Sequence, residues 1–230
     1  MQAGALSWEE FRKAARGKPA ILVFGALEPH GRHLPLDTDS IIPMEIARRL
    51  EKRIGGKAVF FPPVNYGCVH TLRNAGFPGA IGLASPTLQL VAKEIFSELC
   101  REGFARFLVI IGHGGNTAAV KNALKELAGP CRFRAAVVEW WRLAGAEAGH
   151  ADEVEASLVL AAGHELRAKP KQEKSKRYVG EIIPPPPGMF TPSGYIGKVG
   201  GISREKGEKI YSQIVSRMEK MLETDLLLEE

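Results

Sequence analysis

Acidic and histidine side chains are concentrated in the segment GALEPHGRHLPLDTD, which follows the apolar run AILVF. Glu28 and His30 are two positions apart, so on an extended chain both side chains point to the same side. Asp37 and Asp39 lie where the next helical pattern begins, and either could serve only as a helix cap. Beside Glu28 and His30, however, Asp39 could instead bridge two cations. Such oxygen and imidazole ligands suit Zn²⁺, Mn²⁺ or Fe²⁺, so the segment indicates a metal site.

Two further motifs carry histidine after an apolar segment. GHGGN places His113 on a glycine-rich turn, although such a turn can also be no more than an anion-binding loop. HADEVEAS brings His150, Glu153 and Glu155 to the start of an apolar helix, where acidic residues are also favoured by the helix dipole alone. Ligands bind at the carboxyl ends of the strands in an open parallel sheet, so we expect the GHGGN turn to meet the segment of Glu28, His30 and Asp39 there.

The elements that position these motifs follow from the periodicity of the apolar residues. Four short apolar runs predict buried strands at 20–25, 58–64, 107–112 and 134–140. Segments with helical spacing lie between them and end at glycines. Strand alternating with helix predicts an α/β fold with a mostly parallel central sheet covered on both faces. A length of 230 residues suits one such domain, so we expect 1–230 to form a single domain.

A proline-rich passage after residue 165 interrupts this alternation. Its sequence IIPPPPGMFTPSGYIGKVGG excludes a regular helix or a central strand, because each proline removes a backbone donor. It predicts a long loop, which either covers a pocket at the sheet edge or is a disordered connector. A last amphipathic helix is predicted from Ser203 to Leu227.

Composition excludes several classes of protein. The chain has no tract of about 18 apolar residues, and its first residues lack the pattern of a secretion peptide, so we expect a cytoplasmic protein without a membrane partner. The net charge is +5, but basic and acidic residues alternate, which argues against a nucleic-acid partner. Cys68, Cys100 and Cys131 are widely separated, which argues against a disulfide framework and a cysteine zinc site.

Taken together, ALEPHGRHLPLDTD, GHGGN and HADEVEAS resemble the three signatures of the creatininase (creatinine amidohydrolase) family. This resemblance implies a three-layer α/β/α domain, a homo-oligomer that is usually a hexamer, and a dinuclear metal centre that hydrolyses an amide carbon–nitrogen bond. By position, Glu28, His30, Asp39 and His113 match the ligands of two divalent cations, with Asp39 as the bridge. His150 matches the histidine that carries a proton.

One position departs from the family pattern. Creatininase itself has a glutamate ligand two residues after the histidine of the second signature, where this chain has Gly115. We expect Glu153, which replaces an apolar residue of creatininase, to supply the missing carboxylate. Glu155 is expected to orient His150 or to accept its proton.

The expected activity is hydrolysis of a small non-peptide amide, either a cyclic amide or a formamide. Two other branches of the family remain open: the formamide hydrolase of archaeal flavin and deazaflavin biosynthesis, and the peptidase of mycofactocin maturation. A non-enzyme alternative is a flavodoxin-like module that holds a phosphate at the GHGGN turn. A family member that has lost its activity is a further alternative. Measured metal content separates these, because only the enzyme needs about two ions per chain.

Overall fold

The central sheet of the computed structural model, which describes residues 1–176, 178 and 182–226, consists of parallel strands. In the order β2-β1-β3-β4, the strands are β1 (Ala20–Phe24), β2 (Val59–Phe60), β3 (Arg106–Ile111) and β4 (Arg134–Glu139). All four lie at the predicted runs, and β1, β3 and β4 agree with them to within one residue at each end. β2 is shorter than its run because Pro62 and Pro63 follow it and cannot donate to the ladder.

The helices of the described residues connect and flank these strands. They are α1 (Trp8–Ala15), α2 (Thr38–Ile54), α3 (His70–Asn74), α4 (Ser85–Glu102), α5 (Thr117–Leu127), α6 (Glu153–Ala161) and α7 (Arg204–Met221). The predicted last helix is present as α7, which continues into a π-helical turn over Leu222–Leu226, whereas its expected end at 227 lies outside the described residues. None of these helices combines the length and the apolar character needed to cross a bilayer.

Two hydrophobic clusters hold the helices against the two faces of the sheet. One cluster packs α2, α6 and α7 on Ile21 and Leu108, and the other packs α1, α4 and α5 on Leu22 and Val109. Successive side chains of a strand point to opposite faces, so β1 and β3 contribute alternate residues to each cluster. The predicted three-layer α/β/α arrangement is therefore confirmed.

The proline-rich passage runs as an extended connection between α6 and α7. Its described residues contain no helix or strand. Ile196 nevertheless forms an isolated antiparallel bridge with His150, through two backbone hydrogen bonds of 2.9 and 2.8 Å. The described part of the passage is thus bonded to the third motif at His150.

The packing of α6 on α7 depends on the absence of a side chain at Gly207. A Cβ atom there would overlap the backbone oxygen of Ser157. Alanine normally stabilises a helix by about 1 kcal/mol relative to glycine. We predict the opposite sign here: Gly207→Ala lowers the free energy of unfolding by about 1–3 kcal/mol, measured by urea denaturation.

Gly129→Ala is the control, since a Cβ at Gly129 meets open space. It should change the free energy of unfolding by no more than about 0.5 kcal/mol. A Gly207→Ala variant more stable than the wild type would contradict this account of the interface.

Candidate metal centre

Ligand-type side chains from three connections converge beyond the carboxyl ends of the strands. Within the described residues, the cluster consists of Glu28, His30, Asp39, His113, His150 and Glu155. Glu28 and His30 follow β1, and Asp39 lies in the first turn of α2. His113 follows β3, His150 precedes α6, and Glu155 lies in the first turn of α6. The predicted convergence of Glu28, His30, Asp39 and His113 is observed, and the third motif joins them through His150 and Glu155.

The pair Glu28 and His30 is placed by a loop and not by a strand. β1 ends at Phe24, and the Glu28 amide donates to the Leu36 carbonyl at 2.9 Å, so the segment folds back on itself. The expected placement on one side of an extended strand therefore does not apply. Both side chains are nevertheless buried, with Glu28 2% and His30 0% exposed, and both face the cluster.

Helix capping does not account for the two aspartates at the start of α2. Asp37 is the N-cap residue of α2, but its side chain makes no capping hydrogen bond. Asp39 is 4% exposed, and its carboxylate contacts His30 and His113. Asp39 therefore belongs to the buried cluster.

Each histidine of the cluster has one ring nitrogen bonded to a backbone carbonyl. The three bonds, each 2.9 Å long, join His30 Nδ1 to Glu28, His113 Nε2 to Cys68 and His150 Nε2 to Pro29. Because a carbonyl oxygen only accepts, the bonded nitrogen carries the hydrogen. In the neutral ring, the other nitrogen then presents a lone pair to the cluster.

These lone pairs face carboxylate oxygens. His113 Nδ1 lies 3.1 Å from both Glu28 Oε1 and Asp39 Oδ2. His30 Nε2 lies 3.1 Å from Asp39 Oδ1 and 3.9 Å from Glu155 Oε2. Acceptors this close need a proton or a metal ion between them. Glu28 Oε2 and Asp39 Oδ2 are also buried without a hydrogen bond, so the donor set fits a cation.

Protons can take the place of cations in this cluster. Burial would lower the pKa of His30, but Asp39 and Glu155 raise it to about 10. Burial would likewise lower the pKa of His113, but Glu28 and Asp39 hold it well above its usual value. Burial raises the pKa of Glu155 to about 8 against the attraction of His30. The site is therefore a place where protons and metal ions compete.

The ligand atoms form three overlapping groups, each with all its atoms within 4.8 Å of one another. The groups are Glu28–Asp39–His113, His30–Asp39–Glu155 and Glu28–His30–His150. The first two each combine one histidine with two carboxylates, and they share only Asp39. Two cations bridged by Asp39 would use these two groups and leave His150 free.

Glu153, which the sequence suggested as a ligand, does not join the cluster. Its carboxylate accepts from the Gly201 amide at 2.7 Å and pairs with Lys206 Nζ at 2.8 Å. Residues two apart on a helix are separated by about 200° around its axis, so Glu153 and Glu155 cannot both face the site. The assignment to Glu153 is therefore wrong, and Glu155 is the carboxylate that lies with His30 and Asp39.

The expected role of Glu155 toward His150 also changes. Glu155 Oε2 accepts from the Ala151 amide at 2.6 Å, so the carboxylate contacts the backbone beside His150 and makes no hydrogen bond to its ring. Asp152, which the sequence reasoning left out, caps α6 by accepting from the amides of Val154 and Glu155. An aspartate before an apolar helix is a signal that could have identified this cap.

Close packing at Gly115 excludes a side chain at the position where creatininase has a glutamate ligand. A Cβ atom there would overlap the Cys68 carbonyl oxygen and would lie 2.7 Å from His113 Nε2. The hydrogen bond between His113 and Cys68 thus requires glycine at this position. Backbone carbonyls such as that of Cys68 carry no signal in the sequence, so this contact could not be predicted.

A cavity of about 230 Å³ opens onto the cluster. Trp140 and Trp141 line it together with Glu28, Asp39, His113, His150 and Glu155. Trp140 also packs in the hydrophobic core, where it is 1% exposed. The Phe190 ring lies 5.9 Å from the His150 ring, so the proline-rich passage contributes to the surroundings of the site.

Comparison with known proteins agrees with this geometry. The family model described as Creatininase: Creatinine amidohydrolase matches residues 4–222. The creatinine amidohydrolase of Pseudomonas putida is 28% identical over 90% of this chain and 90% of its own. The mycofactocin precursor peptide peptidase of Mycolicibacterium smegmatis is 32% identical over 62% of this chain and 57% of its own.

Solved structures show the same similarity. A crystal structure of creatinine amidohydrolase superposes with a TM-score of 0.85 at 26% identity, covering 99% of this chain and 98% of that one. A structure described as creatininase Mn has a TM-score of 0.84 at 26% identity, covering 98% of both chains. A mutant described as Zn-Zn type has a TM-score of 0.83 at 27% identity, also covering 98% of both chains.

We predict that metal binding releases protons. At pH 7 to 8, His30 is protonated because its pKa is raised to about 10, and the pKa of His113 is also held well above its usual value, whereas a ligand nitrogen must be bare. Binding should therefore release at least one proton per chain, and the apparent affinity should fall about tenfold per proton for each unit that the pH is lowered. Calorimetry of Zn²⁺ binding in buffers of different ionisation enthalpy counts these protons. A count of zero would contradict the geometry.

A second prediction separates the two glutamates of α6. Glu155→Gln should weaken one of two metal-binding steps by about 10-fold or more, because an anionic ligand beside His30 is lost. Glu153→Gln is the matched control: it removes a partly exposed ion pair with Lys206 and should leave metal content unchanged. Loss of metal in Glu153→Gln, or full occupancy in Glu155→Gln, would reverse the assignment.

Proposed function

Because the chain belongs to the creatininase family, we propose that it is a metal-dependent amidohydrolase that cleaves the carbon–nitrogen bond of a cyclic amide or a formamide. The observation that carries this proposal is the pair of ligand groups that share Asp39, with His150 beside them. A phosphate-binding module of flavodoxin type has no need of such a cluster. A family member without activity would have no reason to keep both groups complete.

The cofactors of this proposal are two divalent cations, Zn²⁺, Mn²⁺ or Fe²⁺. One would be held by Glu28, Asp39 and His113, and the other by His30, Asp39 and Glu155. When bound, they would polarise the amide carbonyl and lower the pKa of the attacking water. Structures of related creatininases are described as Mn and Zn-Zn forms, which supports this choice of metals.

His150 is the proton carrier of the proposal. Its Nε2 hydrogen is held by the Pro29 carbonyl, which leaves Nδ1 toward the cavity, 3.7 Å from Glu28 Oε1. Burial and the positive charge of His30 lower the pKa of His150 to about 3. The ring is therefore neutral at pH 7, with Nδ1 free to accept a proton and to pass it to the departing amide nitrogen.

The size of the cavity favours a small substrate. About 230 Å³ accommodates a small ring or a formamide group beside the ligands, with Trp140 and Trp141 as apolar walls. A second candidate is peptide hydrolysis, because a larger cavity of about 640 Å³ adjoins the site and shares Ala148 and Gly149 with it. The relatives named mycofactocin precursor peptide peptidase support testing this candidate.

We further propose that residues 1–230 act as a single cytoplasmic domain that assembles into a homo-oligomer, as a hexamer in the family pattern, without nucleic acid as a partner. Large apolar side chains at Trp8, Tyr66, Ile81 and Ile183 are between 56 and 78% exposed, which is compatible with contacts between copies. Light scattering of the purified protein should give a particle several times the 25.0 kDa of one chain. A 25 kDa particle at micromolar concentration would contradict the oligomer.

The proposed activity is tested by assaying Zn²⁺-, Mn²⁺- and Fe²⁺-loaded protein on creatinine, a formylaminopyrimidine and short peptides. Asp39→Asn should abolish hydrolysis and weaken both metal-binding steps, because it removes the shared anionic ligand. His150→Ala should keep both metals and lower kcat by about 10²- to 10⁴-fold, because only proton transfer is lost.

His164→Ala is the control, since His164 is exposed and lies outside the cluster. It should retain wild-type kcat and metal content. Loaded protein that hydrolyses none of the three substrate classes, or a fully active His150→Ala variant, would contradict the proposed function.

A further inference from the structure

Asn116 is the last residue of the GHGGN motif, and its side chain has no place in the metal cluster. It is the N-cap residue of α5, a position where asparagine commonly caps its own helix, but it makes no side-chain capping bond. It is also 0% exposed. A buried amide that does not cap its helix must satisfy its hydrogen bonds elsewhere.

The Asn116 amide connects two backbone segments. Its Oδ1 accepts from the Cys68 amide at 2.9 Å. Its Nδ2 donates to the Gly25 carbonyl at 2.9 Å and to the Phe24 carbonyl at 3.3 Å. The side chain thus joins the end of β1 to the segment around residue 68.

The Cys68 segment in turn holds His113. The carbonyl of Cys68 accepts from His113 Nε2, and that bond directs Nδ1 toward Glu28 and Asp39. The packing is close: a Cβ at Gly67 would lie 2.5 Å from Asn116 Oδ1 and 2.8 Å from the Gly25 carbonyl. Little movement of this segment is possible while Asn116 holds it.

From these contacts we infer that Asn116 is a positioning residue, which acts through Cys68 to keep Nδ1 of His113 in the orientation that binds a cation. This inference rests on the proposed metal centre. Asn116 serves one of the two ligand groups, Glu28–Asp39–His113, because its bonds reach the Cys68 segment and the chain just before Glu28. Among the described residues, the hydrogen bonds of the Asn116 side chain lead to Cys68, Gly25 and Phe24, and none leads to His30 or Glu155.

Because Asn116 serves only one of the two ligand groups, its loss should affect one metal-binding step and spare the other. A general loss of stability would not produce this difference. We expect Asn116→Ala to weaken one of the two Zn²⁺-binding steps by about 10- to 100-fold, the usual effect of removing a group that orients a ligand. The second step should stay within about threefold of the wild type. Titration of the metal-free protein with Zn²⁺ against a competing chelator measures both steps without any assay of activity.

Ser157→Ala is the matched control. Ser157 is also 0% exposed, donates to the Glu153 carbonyl at 2.5 Å and accepts from the Ser203 amide at 3.1 Å. Its loss removes buried hydrogen bonds that do not lead to the cluster. Both Zn²⁺-binding steps of Ser157→Ala should match those of the wild type even if its melting temperature falls as far as that of Asn116→Ala.

A double variant tests whether Asn116 acts through His113. In a His113→Ala background, one metal-binding step is already impaired, and adding Asn116→Ala should leave the remaining step unchanged. Gly67→Ala provides a second approach, because its Cβ displaces the Asn116 amide without deleting it, and it should weaken the same step as Asn116→Ala.

Equal weakening of both steps in Asn116→Ala, no weakening of either, or a further loss in the His113→Ala background would each overturn the inference. Failure of both Asn116→Ala and Gly67→Ala to fold would also overturn it, because Asn116 would then be required by the whole fold. Failure of the wild-type protein to bind two Zn²⁺ ions would instead contradict the proposed function.

Discussion

The carboxylate of Asp39 lies between two histidines, with one oxygen 3.1 Å from His30 Nε2 and the other 3.1 Å from His113 Nδ1. Burial opposes its charge, yet these two histidines keep the pKa of Asp39 far below its usual range. A buried anion is stable only if opposite charge or hydrogen-bond donors compensate it, and here the imidazole groups on both sides face its oxygens. Asp39 in the first turn of α2 is therefore the residue that joins the two ligand groups.

Backbone carbonyls, and not side chains, orient the histidines around that anion. The carbonyls of Glu28, Cys68 and Pro29 each hold the outer ring nitrogen, so the inner nitrogen faces the carboxylates. Such contacts need the chain to approach closely, and this explains the glycines of the site. At Gly112, for example, a Cβ would overlap the Asp39 carbonyl oxygen. The site therefore depends on loop geometry as much as on the identity of its ligands.

Sequence patterns predicted the layers and strands well because apolar periodicity records burial directly. They also identified most of the cluster, since Glu28, His30, Asp39 and His113 stand in motifs beyond apolar runs. The prediction that Glu153 is a metal ligand was wrong because it rested on the alignment of the family signatures. Which side chain of α6 faces the cluster depends instead on where the helix begins. The role of Asn116 has no signal in the sequence beyond the glycine-rich turn, since its partners are backbone atoms of segments distant in the sequence.

The central claim is that Asp39 is shared by two cations. Anomalous diffraction at the zinc edge from crystals of the Zn²⁺-loaded protein tests it most directly. The account predicts two peaks per chain about 3.5–4 Å apart, one on each side of Asp39, with His113 on one and His30 on the other. A single peak, or a second peak that does not contact Asp39, would contradict it.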